Sequence, residues 1–327
     1  MDWIAGDIGG TKSWLVWLTQ ASADGTQQTC FEQVYASADF DSADSLIRRF
    51  ISDAGASSPP AGLLLALPGA LDGQRTRLTN LDWVMDAAAM QHALGMRVVR
   101  FINDFQAAAA GVATLTSADV IALNPQPVFS GGVRAITGAG TGLGLAFMVA
   151  AADGRYQSFA TEGGHVDFAP ANALQARLLE RLRGEFGHVS WERVVSGSAL
   201  KDLYRFCCVE QGCIPPDEDV DGAALAVRAA AGDVAATAAL DLFIDLYGAW
   251  VGNVALMVQP FGGLYIAGGV ATHMLARMQS PRFMAAATDK GRMRGVVERT
   301  PIFLITTPRL GVQGAMTQTQ TDAFEVS

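Results

Sequence analysis

The stretch Trp3-Ile4-Ala5-Gly6-Asp7-Ile8-Gly9-Gly10-Thr11-Lys12-Ser13-Trp14-Leu15-Val16-Trp17-Leu18 decides the fold. Trp3–Gly6 and Ser13–Leu18 read as two short apolar strands, with Asp7-Ile8-Gly9-Gly10-Thr11 as the glycine turn of a hairpin. The design returns further on. Ala135–Thr137 reads as a strand, Gly138-Ala139-Gly140-Thr141-Gly142 as a turn, and Leu143–Val149 as the returning strand. Gly140-Thr141 echoes Gly10-Thr11, which suggests one core motif duplicated in two domains.

Working outward, Ser42–Ala54 places Leu46, Ile47, Phe50 and Ile51 on one helical face. Gly62–Leu67 is an apolar run stopped by Pro68-Gly69, the pattern of a buried strand. Val98–Ile102 is another, followed by a helix over Phe105–Val112. Strands alternating with helices predict an α/β layer fold. Further on, Ala171–Leu182 and Ala223–Leu240 read as alanine-rich helices and Phe243–Val258 as a longer apolar one. Leu264–Ala267 and Ile302–Thr306 read as strands, with a short helix from Gly311. At roughly 100–200 residues per domain, 327 residues suggest two. The expected division is 1–110 completed by 307–327, and 111–306, with a hinge near 105–112.

Composition narrows the function. Half the residues are hydrophobic, which excludes disorder as the main state. A formal charge of −9 opposes binding to a phosphate backbone, so no nucleic-acid partner is expected. No run reaches the ~18 uninterrupted apolar residues of a membrane helix. The acidic opening Met1-Asp2-Trp3-Ile4 does not fit a signal peptide, so the expectation is a cytoplasmic protein away from membranes. Cys30, Cys207, Cys208 and Cys213 form no C-x-x-C pair and read as reduced thiols rather than zinc ligands.

The 35 glycines are about one and a half times average usage and ask for an explanation. Three glycine turns, Asp7–Thr11, Gly138–Gly142 and Gly268-Gly269, each follow a strand. Glycine there lets main-chain N–H groups approach an anion with no Cβ in the way, and Thr11 and Thr141 add hydroxyl donors. A plain hairpin is the commoner use of any one such turn; three in one chain favour phosphate binding. Asp7, at a strand end, suits a water on Mg²⁺, an ion that takes one or two carboxylates. The loops are neither a Walker A motif, since Thr11 separates Gly10 from Lys12, nor a G-x-G-x-x-G fingerprint, since the glycines of 138–144 recur at every second residue.

Asn103-Asp104 stands where a strand ends and a helix begins, and two readings are open there. Asx residues are preferred helix caps, while a carboxylate at the carboxyl end of a sheet strand is also placed to take a proton from a substrate hydroxyl. In Thr161-Glu162-Gly163-Gly164-His165, a carboxylate and an imidazole flank two glycines on a loop, where they can converge on a polar ligand or simply pair at the surface. Glu192 lies in Trp191-Glu192-Arg193-Val194-Val195-Ser196-Gly197.

Taken in order, these segments resemble the bacterial glucokinase family of the actin-like ATPase superfamily. The resemblance runs from Gly6–Thr11 through Leu67-Pro68-Gly69, Thr79-Asn80 with Trp83, Asn103-Asp104-Phe105, Gly138–Gly144, Glu162–Phe168, Glu192–Gly197, Gly252-Asn253 with Ala255-Leu256, and Ile266–Val270. It implies two actin-like, ribonuclease H-like α/β domains flanking a deep cleft, commonly in a homodimer, and ATP-dependent phosphorylation of glucose at its 6-hydroxyl, the first step of glycolysis. Under it Asp104 is the general base, and Asn103, Asp104, Glu162, His165 and Glu192 bind the sugar. Gly6, Asp7, Ile8, Gly9, Gly10 and Thr11, with Gly138, Gly140, Thr141 and Gly142, cradle the phosphates of Mg-ATP. Gly268 and Gly269 lie near the adenosine.

Lys12 stands where many close relatives have Asn. The zinc-binding cysteines that follow this His in the related repressor–kinase group do not follow His165, so no metal ligand is assigned there. Two alternatives share these residues: a kinase for another hexose, an amino sugar or a polyphosphate donor, and a sugar- and nucleotide-binding sensor with little catalysis.

Overall fold

The computed structural model describes residues 1–20, 27–69, 71–78, 81–216 and 218–320. The chain divides into two compact units, Met1–Leu115 with the stretch from Thr307, and Thr116–Thr306. Thr79-Asn80 lie outside the described residues.

Unit 1 opens with β1 (Trp3–Ile8), β2 (Lys12–Gln20) and β3 (Gln27–Ala36), an antiparallel meander. After α1 (Ala43–Asp53), β4 (Gly62–Leu67) inserts parallel to β1. The hairpin β5 (Arg75–Leu78) and β6 (Trp83–Asp86) and α2 (Ala87–Leu94) lead to β7 (Val98–Asn103), parallel to β4, and to α3 (Asp104–Gly111). The sheet order is β3-β2-β1-β4-β7. Every residue of β4 is buried, as a central parallel strand requires. Ser42 caps α1 in a capping box with Ser45, and Leu46, Ile47 and Phe50 are fully buried, on the face that their spacing predicts.

The structure alters several local expectations here. Asp7 and Ile8 belong to β1, leaving a tighter turn at Gly9-Gly10-Thr11. The stretch 105–112, expected to hold a hinge, is occupied by α3 and the residue after it, and Gly111–Leu115 go with unit 1. Gly111 explains this: a Cβ there would stand 2.5 Å from Leu310 O, so the backbones touch.

Unit 2 carries β8 (Val120–Asn124), β9 (Arg134–Ala139), β10 (Leu143–Ala150) and β11 (Tyr156–Thr161), then α4 (Ala173–Phe186), α5 (Ala199–Glu210), α6 (Gly222–Ala230) and α7 (Val234–Val258). It continues with β12 (Leu264–Ala267), α8 (Gly269–His273), α9 (Leu275–Met278), α10 (Pro281–Thr288), α11 (Arg294–Glu298) and β13 (Ile302–Ile305). The sheet order is β11-β10-β9-β12-β13-β8. Its first five strands repeat unit 1: an antiparallel meander, then two strands added parallel beside the meander's first. The echo between the two glycine hairpins therefore extends to the topology of both sheets.

The expected helices Ala223–Leu240 and Phe243–Val258 are divided differently. The break falls at 231–233, where the Asp233 side chain accepts from Ala236 N and starts α7, which then runs 25 residues without interruption. By length and composition α7 passes for a membrane span, but 72% of its most apolar window is buried inside the unit. Phe243, Tyr247 and Trp250 are the centre of that core.

From Thr307 the chain returns to unit 1 and forms α12 (Leu310–Gln318). Val312 and Ala315 pack with Ala5, Val16, Ala66 and Ala107 on one face of the sheet, opposite the face covered by α1 and α2.

Candidate functional site

In unit 1, β1, β4 and β7 are parallel neighbours, so Asp7, Pro68-Gly69 and Asn103-Asp104 all stand at the carboxyl edge of one sheet. That edge is where ligands bind in α/β sheets. Of the two readings open at Asn103-Asp104, the structure shows the cap, and it falls on Asn103. Asn103 is the helix cap: its Oδ1 accepts from Phe105 N (2.9 Å) and Gln106 N (3.1 Å), and its Nδ2 donates to Gly69 O (3.0 Å). Asp104 is the first helical residue, with Oδ1 accepting from Phe105 N at 2.8 Å. Capping duty thus falls on Asn103.

The first glycine turn is held from behind. Ser37 Oγ donates to Gly9 O (2.7 Å) and pairs with Ser13 Oγ (2.9 Å), while Ser37 N donates to Thr11 O (3.0 Å). The turn's carbonyls are drawn inward, and among the described residues no acceptor takes the N–H of Gly10 or Thr11. Those two amides suit an anion. Gly6 and Ile8 are buried within the sheet, so they shape the strand that carries the turn and do not face solvent. Ser37 carries no motif and is invisible in the sequence. Ser37→Ala is expected to cost about 1–3 kcal/mol by orphaning buried partners and to raise the KM for ATP more than that for the sugar; denaturant unfolding and initial rates check both.

Asp7 is half-buried at the end of β1. Among the described residues nothing donates a hydrogen bond to its carboxylate, and burial pushes it up to about 6. Its seat is Gly311, in the first turn of α12, where a Cβ would overlap the carboxylate. Gly311 is the second residue of α12, and the sequence marks it only as the start of a helix.

In unit 2 the second turn and the polar loop come together. His165 Nε2 lies 3.8 Å from Glu162 Oε2 and 3.9 Å from Glu192 Oε2, so three of the five expected sugar residues converge in this unit. Glu192 also reaches the turn: Oε2 accepts from Leu143 N at 2.8 Å and passes against Gly142. Gly164 packs where a Cβ would overlap Leu143 O, which explains the glycines between Glu162 and His165. Gly140 N donates to Gly142 O, and Gly140 O accepts from Gly197 N, both at 2.8 Å. From the core, Tyr247 OH accepts from Ala139 N (3.1 Å), and Trp250 Nε1 donates to Thr137 Oγ1 (2.9 Å). Gly138 lies inside β9, and its lack of a side chain is explained by the backbone of Ala267 against it.

Gly268 and Gly269 link β12 to α8, with Gly268 at φ +98° against Ala139 O. Beside them opens a cavity of about 660 Å³, mostly apolar, whose walls include Gly197, Leu200, Gly222, Val270, His273 and Arg277. Gly197 joins this cavity to the second turn. Among the described residues no group of three or more His, Cys, Asp or Glu forms a metal cluster.

The family model described as Glucokinase matches residues 4–322. The chain belongs to the glucokinase family. It is 36% identical to the glucokinase of Trichormus variabilis over 333 aligned residues, covering 95% of this chain and 97% of the relative. With the glucokinase of Yersinia enterocolitica it is 36% identical over 318 residues, 95% of this chain and 94% of the relative. Among solved structures, a glucokinase from an Antarctic psychrotroph superposes with a TM-score of 0.83 at 29% identity, over 97% of this chain and 98% of that one. A ROK family glucokinase from Streptomyces griseus, in complex with glucose and AMPPNP, shares the fold at a TM-score of 0.59 and 18% identity, over 96% and 98%. The glucokinase family and the actin-like fold make the protein a sugar kinase.

Proposed function

We propose that this chain transfers the γ-phosphoryl group of ATP to the 6-hydroxyl of glucose, with Asp104 as the general base. The observation that carries the reading is the placement of Asp104: it follows β7 directly, at the carboxyl edge of the sheet that also carries Asp7, while the neighbouring Asn103 reaches the amides of Phe105 and Gln106 as the helix cap. Phosphoryl transfer needs little covalent help beyond positioning, charge stabilisation and a group that takes the hydroxyl proton. Asp104 takes that proton as the sugar oxygen attacks phosphorus and the bond to the ADP oxygen breaks.

Glu162, His165 and Glu192 hydrogen-bond the sugar hydroxyls, Glu192 with the oxygen that Leu143 N does not occupy. Asn103 contributes its remaining amide hydrogen. The amides of Gly10 and Thr11 and the Gly138–Gly142 turn receive the phosphates, and the apolar cavity beside Gly268-Gly269 receives the adenosine. Asp7 fits Mg²⁺: a half-buried carboxylate with no described donor lacks a compensating charge, and a single carboxylate with water suits that ion. When bound, the ion neutralises charge on the phosphates. The reading extends to a cytoplasmic homodimer acting at the entry to glycolysis.

A donor and acceptor panel tests substrate choice, with ATP and polyphosphate against glucose, mannose, fructose and an amino sugar. Glucose with ATP is expected to give the highest kcat/KM; preference for another pair contradicts the reading. Glu162→Gln and His165→Ala are each expected to raise the glucose KM by roughly 10-fold or more, the loss of about 1.4 kcal/mol, with less effect on the KM for ATP. The reverse pattern places the loop at the nucleotide.

A further inference from the structure

Asp7 is held by a closed ring of contacts within unit 1. Its direct cross-strand partner is Trp14. Trp14 Nε1 donates to Glu32 Oε1 on β3 at 2.7 Å. The other oxygen, Glu32 Oε2, accepts from Arg309 Nη2 at 3.0 Å, and the Arg309 guanidinium lies 5.4 Å from the Trp14 ring centroid. Arg309 is the residue immediately before α12, and within that helix's first turn Gly311 seats the Asp7 carboxylate. The ring closes where it began.

We propose that Arg309 is a positioning residue for the cation site, clamping the start of α12 to the hairpin so that Gly311 holds Asp7 in place. The inference rests on Asp7 serving Mg²⁺. Arg309 is not itself a phosphate ligand in this arrangement, because its charge is already paired with Glu32. Both partners are partly shielded, with side-chain exposures of 39% and 25%, so the pair is less screened than a surface one. A planar guanidinium that bonds a carboxylate and covers an indole fixes direction as well as distance. Through the chain it sets where the first turn of α12 lies, and a shift there moves Gly311, which packs so closely against the carboxylate that a Cβ would overlap it. Supporting residues of this kind change metal affinity by about 10–100-fold when removed.

The test compares Arg309→Met, Arg309→Lys, Glu32→Gln and Asp7→Asn with the unaltered protein. Two quantities are read: the Mg²⁺ activation constant at saturating ATP and glucose, and the rise in Tm caused by MgCl2 alone. Arg309→Met is expected to raise the activation constant by roughly 10-fold or more and to shrink the thermal shift, with the glucose KM unchanged. Arg309→Lys keeps a charge facing Glu32 but loses the planar cover of Trp14, and is expected to give a constant between those of the unaltered protein and Arg309→Met. Glu32→Gln cuts the pair but keeps an acceptor for Trp14, and serves if Arg309→Met does not fold. An unchanged constant and shift in the Arg309 and Glu32 variants, beside an Asp7→Asn protein that has lost both, overturns the ring. An equal rise in the glucose KM marks general loosening of the unit and overturns it too. An Asp7→Asn protein that keeps both responses overturns the cation reading itself, and the ring with it.

Discussion

Asp104→Asn is expected to lower turnover by roughly 10²–10⁴-fold, the scale for losing a general base, while the protein folds and binds glucose as before. The amide keeps the shape of the carboxylate and can still accept from Phe105 N as Asp104 Oδ1 does. It cannot take a proton from the sugar hydroxyl. Because Asn103 supplies the cap, with bonds of 2.9 and 3.1 Å to the amides of Phe105 and Gln106, α3 loses little by the change. Steady-state rates, calorimetric glucose binding and Tm together check the prediction. Turnover close to that of the unaltered protein removes Asp104 from the mechanism. A fall in turnover with equal loss of glucose binding makes it a binding group alone.

Asp7→Asn is expected to change stability and activity in opposite directions. Burial raises the Asp7 carboxyl from 3.8 to about 6, so the folded protein holds this proton more tightly than the unfolded chain does. The stability linked to it is fully present below about pH 4 and is lost as pH rises through about 6. At pH 7 in the absence of Mg²⁺ the ionised group costs about 2–3 kcal/mol, because each tenfold gain in proton affinity on folding is worth about 1.4 kcal/mol. The uncharged amide removes that cost, so the variant has a higher Tm at neutral pH and a flatter Tm between pH 4 and 7. Its turnover falls by at least about 10²-fold, the equivalent of about 3 kcal/mol of lost charge stabilisation at the phosphates. Calorimetry across that range, with rates at saturating Mg-ATP, checks both halves. A variant less stable at neutral pH, or one with intact turnover, contradicts the assignment. Stability withheld at such a carboxylate is the usual trade for function.

Much of the fold is legible in the residues themselves. The run at Gly62–Leu67 and the one-sided pattern of Leu46, Ile47 and Phe50 give β4 and α1, because burial on both faces or on one stripe writes itself into composition. The edge strand β3 leaves no such trace: Gln27–Ala36 is largely exposed and carries little alternation. The charged Arg75–Leu78 strand is silent for the same reason, since pairing in a hairpin asks little of the side chains. Alanine-rich sequence over 223–240 conceals where one helix stops and the next begins, and a single Asp233 cap settles it.

At the site, the residue types are visible in the sequence but their partners are not. Glu162, His165 and Glu192 stand out as polar groups near glycines, but that Glu192 also grips the Leu143 amide is a tertiary fact with no local trace. The choice between cap and base at Asn103-Asp104 turns on which of two adjacent side chains reaches past Phe105 N to the amide of Gln106, which spacing does not encode. Gly311 reads in the sequence as a helix start. Its purpose appears only when Asp7, from the opposite end of the chain, is laid against it.

The most direct test of the central claim is ADP release from the purified protein with Mg-ATP, measured with and without millimolar glucose. Release is expected to depend on glucose and to be matched mole for mole by glucose 6-phosphate. Glucose that binds without releasing ADP, or release indifferent to glucose, would contradict that claim.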